Sequence, residues 1–319
     1  MSKLYLQTHT VSDAHPTDIF SLAVTPTHLL SASGSSSIKV HDSNSEVPAQ
    51  TLEKAHALGC HHVCASKDGK VAASAGFGGE VKLWVSDGDG EAAWVEKGSI
   101  LEPAKAGEQW ALALNENGQY LACTTHDGRI NVYDTATISD STASKIARFE
   151  TKGVFALCVD LSPDSPCTMT ASGHQNGTIF IFSNTTQRLV HALTGLIKPV
   201  RSVKFSPACK YLAAAGDARI IALYDTQSGE QVANLTGHAS WVMSLDWNWS
   251  GEYLLSGCYD GKAKVWSLER RECVATQTES DKCLWAVKWL PLVKGARSEM
   301  FVTAGAGKTL SFYREATGS

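Results

Sequence analysis

The chain has 319 residues, with 28 Lys plus Arg against 32 Asp plus Glu, a formal balance of −4 and a pI of about 6.3, so no global positive field gathers nucleic acid or an anionic membrane. Hydrophobic residues make up 43% and charged residues 19%, a globular balance that excludes a largely disordered chain. No apolar run approaches the roughly 18–20 residues of a spanning helix, and the opening MSKLYLQTHTVSDAH lacks the apolar core of a signal peptide; a soluble intracellular protein is expected.

In chain order, Lys3–Thr8 (KLYLQT) reads first, as a strand with no partner in the segment that follows. From there short runs rich in β-branched, aromatic and small residues recur between Gly, Asp and Pro turns, as in Phe20–Val24, Tyr211–Ala215 and Ile220–Tyr224. One unit, residues 237–267, is fullest: GHASWVMSLDWNWSGEYLLSGCYDGKAKVWS. Its last strand ends at Trp266, and weaker copies end at His41, Trp84, Tyr133, Phe182, Tyr224 and Tyr313. Those ends are spaced by 42 to 49 residues, about 45 on average. Each unit alone would leave apolar faces and open edges, so the units must stack radially.

A Gly-His start, a Trp-type end and a period of roughly 40–45 residues resemble the WD-repeat family, and the resemblance covers the whole chain. It implies an all-β, seven-bladed WD-repeat β-propeller, with residues 1–319 as one domain. After Tyr313 only REATGS remains, too little for another strand, so blade seven lacks its outer strand. Lys3–Thr8 is predicted to fill that place and lock the first blade to the last. Polar loops at Ser86–Gly90 and Ser139–Ser144 account for the two 49-residue spacings.

Several residue sets imitate active sites. His238, Ser256 and Asp260 have the types of a hydrolase triad, but the matching WD-repeat positions, with Trp266, form a structural network in which the imidazole links the turn Asp to the Ser. Degraded copies (His56, Ser74 and Trp84; Asp127 alone) are expected of a structural element rather than a catalytic one. GAGKT at Gly305–Thr309 lacks the upstream Gly of a phosphate loop, where Val302 stands, and reads as a turn. In CHHVC, strand alternation turns Cys60, His62 and Cys64 one way and His61 the other, which does not close a zinc tetrahedron. The nine scattered cysteines read as reduced thiols, and the Asn-x-Ser/Thr matches at Asn176, Asn184, Asn234 and Asn248 as chance. Arg270–Arg271 is an isolated basic pair. No catalytic residue, metal or cofactor is expected.

Registering each repeat on blade six gives the positions that face the narrow end of the channel. They include Trp241, Met243 and Tyr259 in blade six, Asp18 and Phe20 in blade one, and His61 and Phe77 in blade two. Glu108, Trp110 and His126 follow in blade three, Phe155, Leu157 and Gln175 in blade four, Arg201 and Asp217 in blade five, and Trp285 in blade seven. Trp, Tyr, Phe, Met and Arg are enriched in interface cores, so Asp18, Phe20, Trp110, Phe155, Arg201, Trp241, Met243, Tyr259 and Trp285 are the candidate partner-binding set.

At finer grain, KLYLQTHTVSDAHPTDIFSLAV, GCHHV, CLWAVKWLP and SFYREA resemble the WD-repeat subunit of the superkiller (Ski) complex. That resemblance implies a non-catalytic subunit holding a tetratricopeptide-repeat partner and, with it, a DExH-box RNA helicase that feeds mRNA to the cytoplasmic exosome for 3′–5′ decay. Relatives are implicated in meiotic double-strand-break formation through the topoisomerase-like transesterase, which implies a nuclear role besides the cytoplasmic one. No direct nucleic-acid contact and no membrane partner are expected. A WD-repeat adaptor of another complex (transcription elongation, histone-tail or ubiquitin-ligase substrate recognition) predicts the same fold with a different partner.

Overall fold

The computed structural model describes residues 2–42, 47–86, 93–101, 108–139, 143–151, 153–292 and 298–316. They form seven four-stranded antiparallel sheets. Six are meanders of consecutive strands. In blade six, for example, Val242–Trp247, Tyr253–Cys258, Lys262–Ser267 and Glu272–Thr278 run from the channel outward. Each sheet packs on its neighbours, and blade seven meets blade one, so the ring closes. Among the described residues the helical content is one 3₁₀ turn, Thr135–Thr137.

Closure follows the predicted route. Blade seven runs Leu284–Trp289, Met300–Gly305 and Leu310–Glu315, with the N-terminal strand as its outer member. That strand spans Tyr5–Val11 and pairs antiparallel with Leu310–Glu315, with a register shift between Gln7 and His9. Tyr5 drives the docking: it is 2% exposed and packs 5.1 Å from the Phe301 ring and 6.1 Å from that of Trp289. The Lys3 amide donates to Val274 O at 2.8 Å and Gln277 Nε2 donates to Tyr5 O at 2.8 Å. The terminal segment therefore clasps blades six and seven together. Of the loops expected at 86–90 and 139–144, residues 87–90 and 140–142 lie outside the described residues.

Between blades, branched side chains meet small ones. Ala213, Ala215, Ile221 and Leu223 of blade five pack on Val242, Leu245 and Leu254 of blade six. Along the channel, polar side chains stitch neighbouring innermost strands. Ser202 Oγ accepts from Leu245 N at 3.2 Å and Ser244 Oγ from Val287 N at 3.3 Å. One turn deeper, Asp160 accepts from Phe205 N and Lys204 Nζ at 2.9 and 2.5 Å, and Asp246 from Trp289 N and Lys288 Nζ at 2.8 and 2.9 Å. Burial pulls Lys204 down, but Asp160 beside it and Asp246 beyond leave its ammonium above its ordinary value. The channel they line, with His62, Cys64 and Met243 among its walls, has a volume of about 960 Å³.

Every innermost strand shifts register near its first residue. The breaks fall at Ile19/Ser21, Cys60/His62, Gln109/Leu112, Ala156/Cys158, Val200/Ser202, Val242/Ser244 and Leu284/Ala286. A bulge leaves one residue out of the ladder and re-aims its side chain. The residues left out include Phe20, His61, Trp110, Arg201, Met243 and Trp285. The same break corrects the strict alternation read for CHHVC: Cys60 is fully buried between blades one and two, while His62 and Cys64 line the channel. GAGKT forms the hairpin turn between the last two strands, with Lys308 at φ 61°. None of the nine cysteines is joined in a disulfide.

Candidate partner-binding face and blade networks

At the channel mouth the re-aimed side chains meet those of the adjoining turns and form a continuous arc of rings across six blades. Trp241 lies 5.3 Å from Tyr259, Tyr259 6.2 Å from Trp285, and Trp285 5.5 Å from Phe20, centroid to centroid. The run continues from Phe20 to Phe77 at 5.7 Å, Phe77 to Trp110 at 6.4 Å, and Trp110 to Phe155 at 5.5 Å. His61 stacks on Trp110 at 4.2 Å and His126 on Phe155 at 4.1 Å. Such edge-to-face and tilted contacts suit the ring quadrupoles.

Blade five joins the arc by charge. The Arg201 guanidinium sits 4.9 Å from the Trp241 ring and grips Asp217 with both nitrogens of its fork, Nη2 to Oδ2 at 3.1 Å. Asp18 accepts the indole N–H of Trp285 at 3.1 Å. Arg201 and Asp18, both in the candidate partner-binding set, are thus struts that fix two tryptophans. Burial holds the His61 imidazole down to about 4, so it stacks as a neutral ring. Trp241, Tyr259 and Phe77 are exposed, at 39%, 46% and 38%. Phe20, Trp110, Phe155, Met243 and Trp285 are half-buried. Registering of the repeats places Phe77, His61 and His126 near this face; their ring contacts show that they extend the aromatic surface. Leu157 and Gln175 carry no ring, so the arc opens between Phe155 and Arg201. The result is a preorganised surface of π-faces held from below by sheet hydrogen bonds.

The blade networks stand apart from this face. In blade six, His238 Nε2 meets Ser256 Oγ at 2.6 Å and Trp266 Nε1 donates to the same oxygen at 2.8 Å. The expected fourth link is not made. Asp260 Oδ1 instead accepts from Lys262 N at 3.1 Å within its own turn, as a short Asp side chain readily does, and His238 Nδ1 is left without a hydrogen-bond partner. Burial, outweighing the Asp260 charge, pushes His238 down to about 4. Blade two repeats the pattern, with His56 Nε2 to Ser74 Oγ and Trp84 Nε1 to Ser74 Oγ both at 2.8 Å. There Glu80, which the repeat register does not single out, brings Oε2 to 3.4 Å from His56 Nδ1. Blade one substitutes a second imidazole for the indole: Ser31 Oγ lies 2.8 Å from His15 Nε2 and 3.1 Å from His41 Nε2. In blade three Asp127 turns to Thr125 and Arg129.

Seven such blades, partly preserved internal networks and an aromatic mouth define a WD-repeat propeller. The chain belongs to the WD-repeat family. The family model "WD domain, G-beta repeat" matches residues 47–85, 101–134, 187–225 and 229–267. Over nearly its full length the chain is similar to the meiotic recombination protein rec14 of Schizosaccharomyces pombe, 39% identical over 99% of both chains. It is also similar to the antiviral protein SKI8 of Saccharomyces cerevisiae, 28% identical over 86% of this chain and 83% of that relative. Mouse striatin is 27% identical over 69% of this chain and 29% of its own length. WD propellers generally serve as non-catalytic platforms for protein–protein interaction.

Proposed function

We propose that this propeller is a non-catalytic scaffold subunit whose aromatic mouth seats a short segment of a tetratricopeptide-repeat partner. Through that partner it helps assemble a DExH-box RNA helicase complex for exosome-dependent 3′–5′ mRNA decay in the cytoplasm. The observation that carries the reading is the ring-to-ring arc from Trp241 to Phe155, a patch of aromatic and Arg side chains of the kind that dominates binding energy. Because innermost strands are hydrogen-bonded into sheets, the surface loses little ordering entropy on binding. Similarity to SKI8 supports the assembly named here.

Similarity to rec14, named for meiotic recombination, favours a second use of the same face in that process; for it we propose the topoisomerase-like transesterase as a nuclear partner. Affinity purification with mass spectrometry from vegetative and from meiotic cells tests both. The wild-type chain should recover the tetratricopeptide-repeat subunit and helicase from the former and the transesterase from the latter. A folded Trp241→Ala/Trp285→Ala variant should recover neither set; full recovery would overturn the site. Recovery of a transcription-elongation, histone-binding or ubiquitin-ligase complex instead would keep the face and reject the partner.

A further inference from the structure

The channel has a second rim, at the end opposite the aromatic mouth. It is built by the second residue beyond each innermost strand: Pro26, Lys67, Glu116, Pro163, Pro207, Trp249 and Pro291, in blades one to seven. All seven line the channel. The five apolar ones occupy adjoining blades, from four through seven to one, and form a crescent. Trp249 stands at its middle, 68% exposed and the most exposed aromatic side chain among the described residues, and Leu292 is exposed beside Pro291. Blades two and three carry the charges, which pair with each other, Lys67 Nζ to Glu116 Oε1 at 2.8 Å, while both stay open to solvent. Single exposed apolar side chains are ordinary, but an adjoining run of them marks a contact surface.

The order of residues round this rim limits what can cover it. Blade six lies half a turn of the ring from the boundary between blades two and three, so Trp249 stands across the opening from the Lys67–Glu116 pair. A line through both divides the rim into chemically matched halves. Next to Trp249 come Pro207 on one side and Pro291 on the other, then Pro163 and Pro26, and last Glu116 and Lys67. Turning a second copy by half a rotation about that line lays rim on rim. This is the geometry of an isologous contact, in which residue i meets j and j meets i. Trp249 then meets Trp249, prolines meet prolines, and each Lys67 meets the partner's Glu116. No like charges are opposed, and no charge is pressed against an apolar residue.

We propose that this rim is a self-association surface, on which a second copy of the chain docks rim to rim about a two-fold axis through Trp249 and the Lys67–Glu116 pair. The two pairs then form a square of charges of alternating sign, so complementarity fixes the orientation while the crescent supplies the apolar contact. Little has to be ordered on docking. The rim lies in hairpin turns held by backbone bonds, such as Lys67 N to Glu116 O at 2.8 Å and Gly251 N to Asn248 O at 3.1 Å, and its prolines have fixed φ. Both aromatic mouths point outward in such a dimer, which therefore carries two partner sites. The proposal is independent of which partner those mouths take.

Sedimentation equilibrium of the full chain over a wide concentration range is the test, with circular dichroism of each variant. Wild type should pass from monomer to dimer and form nothing larger. Trp249→Glu sets two carboxylates against each other in the crescent and should weaken dimerisation about thirtyfold or more. Lys67→Glu and Glu116→Lys should each be monomeric alone, because four like charges then meet. An equimolar mixture of these two variants should form a heterodimer, since two negative groups now lie over two positive ones. Val190→Glu, on the exposed outer strand Leu189–Leu193 of blade four, should dimerise as wild type. A wild type that stays monomeric, unchanged association of folded Trp249→Glu, or no recovery in the mixture would overturn the proposal. Loss of the dimer in folded Val190→Glu would overturn it too, by moving the contact to the blade edge.

Discussion

The indole N–H of Trp285 donates to Oδ2 of Asp18 at 3.1 Å, across the seam where blade seven meets blade one. One bond thereby ties the closing of the ring to the orientation of a tryptophan at the centre of the aromatic arc, between Tyr259 and Phe20.

That placement grades the expected effects on partner binding. Trp285→Ala removes a central ring and should weaken binding by about 2 kcal/mol, roughly thirtyfold. Asp18→Ala leaves the ring but frees it to turn, and should give a smaller loss, while Asp18→Asn, which still offers an acceptor, should be milder again. Arg188→Ala on the exposed outer strand region should bind as wild type. Isothermal titration with the purified partner, with circular dichroism of each variant, measures the order. Equal binding by all four variants would remove the arc from the interface.

The internal networks make an opposite pair of stability predictions. Ser256→Ala removes the oxygen that both His238 and Trp266 use, and should destabilise by about 1–3 kcal/mol, the cost of leaving buried donors unpaired. Asp260→Ala loses one turn bond to Lys262 and should cost less than about 1 kcal/mol. Urea melts of the two variants decide the ranking. A larger loss for Asp260→Ala would mean that the carboxylate bonds His238 after all.

Removal of residues 1–11 should expose the edge of Leu310–Glu315 and uncover Phe301 and Trp289, which Tyr5 covers. An unprotected sheet edge recruits other chains, so the truncated protein should aggregate and melt well below wild type. Light scattering and thermal denaturation measure both. A monomeric truncation with unchanged Tm would show that the clasp contributes nothing.

Acid should act through buried imidazoles. Burial, with Lys39 close by, holds His15 down to about 3 and His41 to about 4, and burial with Lys82 close by holds His56 to about 4. Each lies below the 6.5 of an unfolded chain, so as pH falls through 6.5 the unfolded state takes up protons first. Their contribution to stability is therefore whole above about pH 6.5 and is lost progressively toward pH 4. A group in that window changes stability by about 1.4 kcal/mol per pH unit, so three should lower Tm steeply between pH 6.5 and 4.5. His41→Phe, which installs the side chain that blade four carries at the equivalent place as Phe182, should flatten the slope. A flat wild-type profile would show that these rings are protonated in the fold.

The repeat count, the strand pattern and the strand that closes blade seven are all legible in the amino-acid order, because each depends on local periodicity and on counting strands. The candidate face is partly legible: register on the fullest repeat places Trp241, Tyr259 and Trp285 at the mouth. It does not show that Phe77, His61 and His126 extend the ring contacts, nor that Arg201 and Asp18 are already engaged by Asp217 and Trp285. Strict alternation also misplaced Cys60, since a bulge between Cys60 and His62 reverses the face on which it lies.

What the sequence by itself determined is the all-β repeat and its closure, since apolar spacing within each short segment and the turns between them act over a few residues. What the tertiary structure alone decided is where side chains point and what they touch. Bulges arise when a strand is fitted to its neighbour, and the arc joins residues on separate blades, such as Phe20 and Trp285, which only ring closure brings to 5.5 Å. The same holds within blade six, where Asp260 bonds its own turn rather than His238 because short-range backbone donors compete with the more distant imidazole.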